Sequence, residues 1–319
     1  MTVDDEVSVV GSIDVLPARR EFAPRPEARP MARPGVPSGR MIALWVLLLV
    51  AVVAVVLVAV EPLFQQREQA MLLDDYRGAI DRAANQATGL GGVEVSQTAP
   101  EFGTPVGIVE IGAIGARQVV VEGATAPILQ NGPGHVPGTA APGQPGNSVI
   151  VGRSWLFGAP FADLGSLEVG DRIGVTTTQG QSVYEVSSND SVTFGEGDDS
   201  IEAIYGPSDD DQLTLIASDS ALPFNSSRAR VVVAVMDGKP FAPTPQNGRS
   251  VTQTGTTGET SRWPMVLLAL LCLGGSIAAA VILRQRSSAR ISYLLTAPPL
   301  LVFAIVTSET LSQLLPAWT

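Results

Sequence analysis

Three long apolar runs divide this chain, and everything between them has to fold in water. Met41–Val60 is twenty residues without a charge, enough to cross the hydrocarbon core of a bilayer as a helix. Trp263–Leu283 is a second such run, with Trp263 suited to the interface. Ile291–Leu315 is a third, interrupted by Pro298-Pro299 and carrying Glu309 near its far end. Paired prolines in a membrane helix mark a kink, and Glu309 reads as hydrated near the outer interface. The first run also resembles a signal peptide, but a signal core is shorter, about 7–15 residues, so an uncleaved anchor is expected.

Arginines set the orientation. Six lie between Arg19 and Arg40, and Arg284, Arg286 and Arg290 follow the second run. The positive-inside rule places both groups in the cytoplasm and Glu61 onward outside. The expected protein is a multi-pass one of the cell membrane, with a cytoplasmic N-terminal tail at 1–40. That tail is rich in Pro and Arg and reads as disordered. Transmembrane helices are expected at 41–60, 263–283 and 291–315, with a basic cytoplasmic loop at 284–290.

The soluble remainder has three parts. Residues 61–104 begin with helical spacing at Leu63, Met71, Leu72, Tyr76, Ile80 and Ala83 and are expected as an extracytoplasmic helical stalk and linker. Residues 105–237 form the globular domain. Short β-rich runs recur there at Val106–Ile111, Gln118–Val121, Ser148–Val151, Arg172–Thr177, Val183–Ser187, Leu213–Ile216 and Val231–Val235. That spacing implies a sandwich or closed barrel. Residues 238–262, polar and rich in Thr, Gly and Gln, read as a flexible linker.

Charge and composition exclude several functions. Between Glu61 and Arg262 there are 24 acidic and 11 basic residues, a balance of −13, which repels phosphate backbones and argues against a nucleic-acid partner. His135 is the single histidine and Cys272 the single cysteine, the latter inside an apolar run. No internal disulfide and no two-His metal site follow. The acidic clusters Glu196–Asp199 and Ser208–Asp211 lack the spacing of a calcium loop and read as solvated. No metal and no cofactor are expected.

The most structured loop runs from Asn131 to Phe161. Its density of Gly and Pro marks a shaped loop. Within it, Gly132-Pro133-Gly134-His135-Val136-Pro137-Gly138-Thr139 and Pro142-Gly143-Gln144-Pro145-Gly146-Asn147 precede the run Ser148–Val151. With Val109-Glu110-Ile111-Gly112, Gly158-Ala159-Pro160-Phe161 and Val169-Gly170-Asp171, these motifs resemble a sortase, closest to the class E-like sortases of high-GC Gram-positive bacteria. The resemblance covers about Pro105 to Asp237. It implies an all-β fold, an eight-stranded β-barrel with short helices, and transpeptidation at the outer face of the membrane. A Cys nucleophile, a His general acid and an Arg carry that reaction in the family.

Two of those three positions differ here. The family's His follows the Gly that closes the central strand, and here Arg153 follows Gly152. The family's Cys ends a Leu-Thr-Leu-x-Thr-Cys strand, and here the run is Leu213-Thr214-Leu215-Ile216-Ala217-Ser218. Arg230, before Val231–Val233, matches the family's Arg, with Arg228 an off-register alternative. An unassisted serine hydroxyl is a poor nucleophile, and a guanidinium cannot act as its base. His135 is the only imidazole, and histidine at this place belongs to the family's ordinary loop pattern.

The expectation is a sortase-like pseudoenzyme, inactive or nearly so. It binds or scaffolds an envelope protein or peptide in the former groove, near Arg153, Ser218, Arg230 and His135, and its membrane helices take part in a complex. The alternative is an active, cysteine-independent acyltransferase or hydrolase using Ser218 with Arg230. A third reading is a structural stalk with no ligand.

Overall fold

The computed structural model describes residues 47, 51–87, 98–194, 200–220, 227–246, 248–286 and 288–319. The tail at 1–40, part of the first apolar run and the cluster Glu196–Asp199 lie outside the described residues.

Eight strands among the described residues close into a barrel. They are β1 (Pro105–Ile111), β2 (Ala116–Glu122), β3 (Gly134–His135), β4 (Asn147–Val151), β5 (Arg172–Thr177), β6 (Gly180–Thr193), β7 (Gln212–Ser218) and β8 (Arg228–Met236). Their order around the barrel is β1-β2-β3-β4-β7-β8-β6-β5, and β1 pairs β5 to close it. Alternation along each strand fills the interior. Val109 and Ile111, Ile173 and Val175, Leu213 and Leu215, and Val232 and Ala234 point inward with Phe161 and Leu164. The expected strands are all present. The sequence reading missed β3, whose two residues sit inside the Gly-Pro loop.

That strand depends on a glycine. Gly134 runs parallel to Val121, and any Cβ there would overlap the Gly123 carbonyl and the Leu129 side chain. Asn147 fixes the far end of the loop. Its amide donates to Ile204 and Gly206 carbonyls at 2.8 and 3.0 Å, and its oxygen accepts from Thr214 at 2.8 Å.

Two expectations change. Helix α1 (Glu61–Ala87) is not a free stalk. Its Leu72, Leu73, Tyr76 and Ile80 pack on Ile108 and Val119, the outer side of β1 and β2. Gln69 lies along β2 as a strand would: its amide donates to the Val119 carbonyl at 3.1 Å and its oxygen accepts the Val119 N–H at 2.7 Å. Tyr76 donates to the Val106 carbonyl at 2.7 Å.

Residues 238–262 are not a free linker either. The segment follows the barrel wall, and its side chains answer backbone groups that would otherwise be buried unpaired. The Phe241 N–H reaches the Gly143 carbonyl at 2.8 Å. Gln253 accepts the Ala124 N–H at 2.8 Å, and Tyr205 donates to the Thr254 carbonyl at 2.6 Å. Arg249 pairs with buried Glu122 at 2.8 Å, donates to the Pro100 carbonyl at 2.7 Å and lies over the Phe102 ring. Composition alone reads this segment as loose because its contacts are polar.

Among the described residues, two helices are long and apolar enough to cross a membrane: α3 (Trp263–Arg286) and α4 (Ala289–Ser312), with Pro298 and Pro299 inside the latter. A short helix, α2 (Ser200–Tyr205), lies between β6 and β7. Leu273, Ile277 and Ala304 pack against Val53 and Val56 of the described part of the first run.

Removing Arg249 strips Glu122 of one cationic partner and the Pro100 carbonyl of its donor. Arg249→Ala is expected to lower stability by about 2 kcal/mol, read by denaturant unfolding of the purified full chain in detergent. A change below about 0.5 kcal/mol would mean that the segment is a loose linker after all.

Candidate functional site

The site expected from sequence lies where β4 and β7 end side by side. They run parallel, with Val151 beside Ile216, and the Gly152 N–H extends the ladder to the Ile216 carbonyl at 2.9 Å. The strand period sends Val149, Val151 and then Arg153 to the outer face, together with Ile216 and Ser218. That face is a groove floor of Val149, Val151, Ile216, Ala229 and Val231. Arg153 and Ser218 therefore share a face and a strand end.

Arg230 does not share it. Its cross-strand partner is Ala217, whereas Ser218 faces Ala229. Directly paired residues point to the same side, so Arg230 belongs with Val232 and Ala234. Its guanidinium is bound to Asp219 at 3.0 Å, and Asp219 also accepts from Ser191. The expectation of two arginines flanking Ser218 is corrected by this register. Arg228 is the arginine that lines a depression of about 430 Å³ with Ser154, Trp155 and Ser218.

His135 is elsewhere as well. Its Nδ1 lies 2.8 Å from Glu122 Oε2, and its Nε2 lies 2.8 Å from the Ala140 carbonyl. Both ring nitrogens are engaged within the loop that holds β3, so the imidazole belongs to loop structure. The groove expected to contain Arg153, Ser218, Arg230 and His135 brings together only the first two.

Arg153 has no exposed surface. Its Nη2 donates to the Ala126 carbonyl at 2.9 Å and its Nη1 to the Thr319 backbone oxygen at 3.3 Å. The Phe157 ring lies 4.8 Å from the guanidinium carbon, a distance for cation–π attraction. The turn that brings Phe157 back over Arg153 is tight: Phe157, Gly158 and Ala159 all have positive φ, at 52°, 72° and 43°. Two side chains in that region store strain, about 1–3 kcal/mol each. Gly152 is required beside it, since a Cβ there would enter the Phe161 ring.

Burial pulls the Arg153 pKa down to about 9, while Glu61 works to raise it. The group stays a cation at neutral pH, and so it can bind carbonyl oxygens but cannot accept a proton from a serine. The Ser218 Oγ is buried with no hydrogen-bond partner. A hydroxyl without a base beside it is not activated. Among the described residues, no group of three or more His, Cys, Asp or Glu side chains is arranged to hold a metal ion.

The sequence reading missed the segment that covers this face. Ala317, Trp318 and Thr319 lie on it, all without exposed surface. The one signal for it is an aromatic residue after Pro316, just beyond the last apolar run.

With this geometry in hand, the likenesses can be placed. The family model for the sortase domain matches residues 109–236. Sortase D of Bacillus subtilis (strain 168) is 34% identical over 87 residues, which are 27% of this chain and 42% of that protein. The chain thus spans less than half the length of this relative. Among solved structures, a Clostridium perfringens Sortase D5 transpeptidase superposes with a TM-score of 0.43 at 20% identity, over 54% of this chain and 99% of that one. Sortase E from Streptomyces avermitilis gives a TM-score of 0.37 at 25% identity, over 44% and 93%. The closed eight-stranded barrel is thus the part of this chain that matches the sortase domain, from Val109 to Met236.

Proposed function

We propose that this chain is a membrane-anchored, extracytoplasmic sortase-like protein that keeps a peptide groove and lacks transpeptidase chemistry. The observation that carries the reading is the buried Arg153 beside Ser218. A cation committed to two backbone oxygens stands where a proton-transferring imidazole would be needed. The hydroxyl at the strand end has no base, and the arginine that sequence matching offers as its helper points to the other face. What remains is a face built to hold backbone: sheet-end N–H groups, a carbonyl-binding guanidinium and an apolar floor.

The two apolar helices supply the anchor, and the arginine distribution supports a cytoplasmic N-terminus with the barrel outside. The partner class is an envelope protein or peptide, with the helix pair available to a membrane complex. The competing activity, acyl transfer through Ser218, has no observation in its favour.

Two outcomes follow. Purified full chain incubated with sorting-signal peptides and an amine acceptor is expected to give no ligated or hydrolysed product by mass spectrometry. Turnover that disappears in Ser218→Ala would sink this reading. Separately, Arg153→His is expected to create no activity and to lower stability by about 2 kcal/mol, because the shorter side chain leaves the Ala126 and Thr319 oxygens without their donor. Unfolding midpoints equal to wild type would show that Arg153 is not a structural cation.

A further inference from the structure

The groove face is already filled along part of its length. The Trp318 carbonyl accepts the Ser154 N–H at 3.2 Å and the Ser218 N–H at 3.4 Å, and the Trp318 N–H donates to the Gly255 carbonyl at 3.2 Å. Its backbone therefore lies between the ends of β4 and β7 on one side and the crossing segment near Gly255 on the other. The segment is a turn, closed by the Thr319 N–H donating to the Pro316 carbonyl at 3.1 Å, so the face holds one carbonyl and one aromatic ring of a short turn. The indole sits 5.4 Å from the Phe194 ring, inclined at 49°, in the apolar cluster that includes Val151, Tyr205 and Ile216. Arg153 holds the next residue by its backbone oxygen.

We infer that this face is a receptor for a short peptide turn bearing an aromatic side chain, and that the chain's own Ala317–Thr319 is its resident, displaceable ligand. The inference rests on the reading of the barrel as a binding module, and it names both the ligand class and the control. The fit of the resident is incomplete. The indole N–H is buried without an acceptor, and the Ser218 hydroxyl is buried without a partner. Unanswered buried polar groups weaken a bound state. A peptide that supplies an acceptor to one or a partner to the other holds the site better. A depression of about 430 Å³ on the other side of Ser218 is lined by Ser154, Trp155, Asp219 and Arg228 and not by the resident. Tethering compensates, because an attached ligand is present at high effective concentration. The groove is closed by default and opens to a competitor.

The test uses the full chain in detergent, with Cys272→Ala and Ser218→Cys, so that one thiol lies beneath the resident segment. The rate of maleimide labelling reads its exposure. Adding Trp318→Ala is expected to speed labelling about tenfold or more. The synthetic peptide Gln-Leu-Leu-Pro-Ala-Trp-Thr is expected to slow it again, and the same peptide with Ala for Trp is not. Equal rates with and without the Trp318 side chain overturn the occupancy. Faster labelling that the Trp peptide does not suppress overturns the receptor, including the case in which Trp318→Ala loosens the barrel, since a disrupted groove gives no protection. Product formation in the peptide-and-amine assay would remove the non-catalytic reading and leave these outcomes untouched, so the two ideas fail separately.

Discussion

The parallel pairing of β4 with β7 is the contact on which the other features of this domain depend. It sets Val151 beside Ile216 and carries the next residues, Arg153 and Ser218, onto one outer face at one end of the barrel. A slip of one residue would turn Arg153 from this outer face toward the apolar barrel interior. The Gly-Pro loop ahead of β4 exists to make that register possible. Asn147 pins the start of the strand to β7 and to the segment before it. Gly134 lets β3 close against both β2 and β4. Each acts on the register and neither on chemistry.

Burial of a guanidinium costs several kcal/mol unless its donors are answered. Here the answers are partial and come from distant parts of the chain: the Ala126 carbonyl, the Phe157 ring and the Thr319 oxygen engage the guanidinium, while its Nε is buried without a partner. The Phe157–Ala159 turn is strained as a consequence. Strain, a buried cation and an unpartnered hydroxyl thus meet within one strand end.

The barrel was legible in the sequence because strand alternation and Gly-Pro punctuation are local signals. Runs such as Leu213–Ile216 and Val231–Val235 announce themselves within a few residues. The shared position of Arg153 and Ser218 was legible for the same reason, since both are fixed offsets from the ends of the paired strands β4 and β7. What was not legible depends on contacts between remote segments. The placement of Arg230 turns on whether it pairs with Ala217 or Ser218, which sequence matching near a strand end cannot separate. Residues 238–262 looked loose because polar side chains bind backbone as readily as water, and only the partner's position tells which. Gln69 disguised itself in the same way: one glutamine in an amphipathic helix carries no mark that it completes the edge of β2.

The resident segment is attached to α4 by a short connection. The helix ends at Ser312, and Trp318 is bound six residues later. Part of that span is already committed, since Leu314 and Leu315 bond back to Leu311 and Ser312 and the Gln313 carbonyl holds the Glu259 N–H. An extended chain reaches at most about 3.3–3.6 Å per residue, so the four residues from Gln313 to Pro316 offer only about 14 Å of reach when fully drawn out. The leash is short compared with the length of the helix that carries it. Groove and helix are thereby mechanically geared: a piston or tilt movement of α4 beyond that reach has to draw the indole out of its seat, and an indole held in its seat resists such movement.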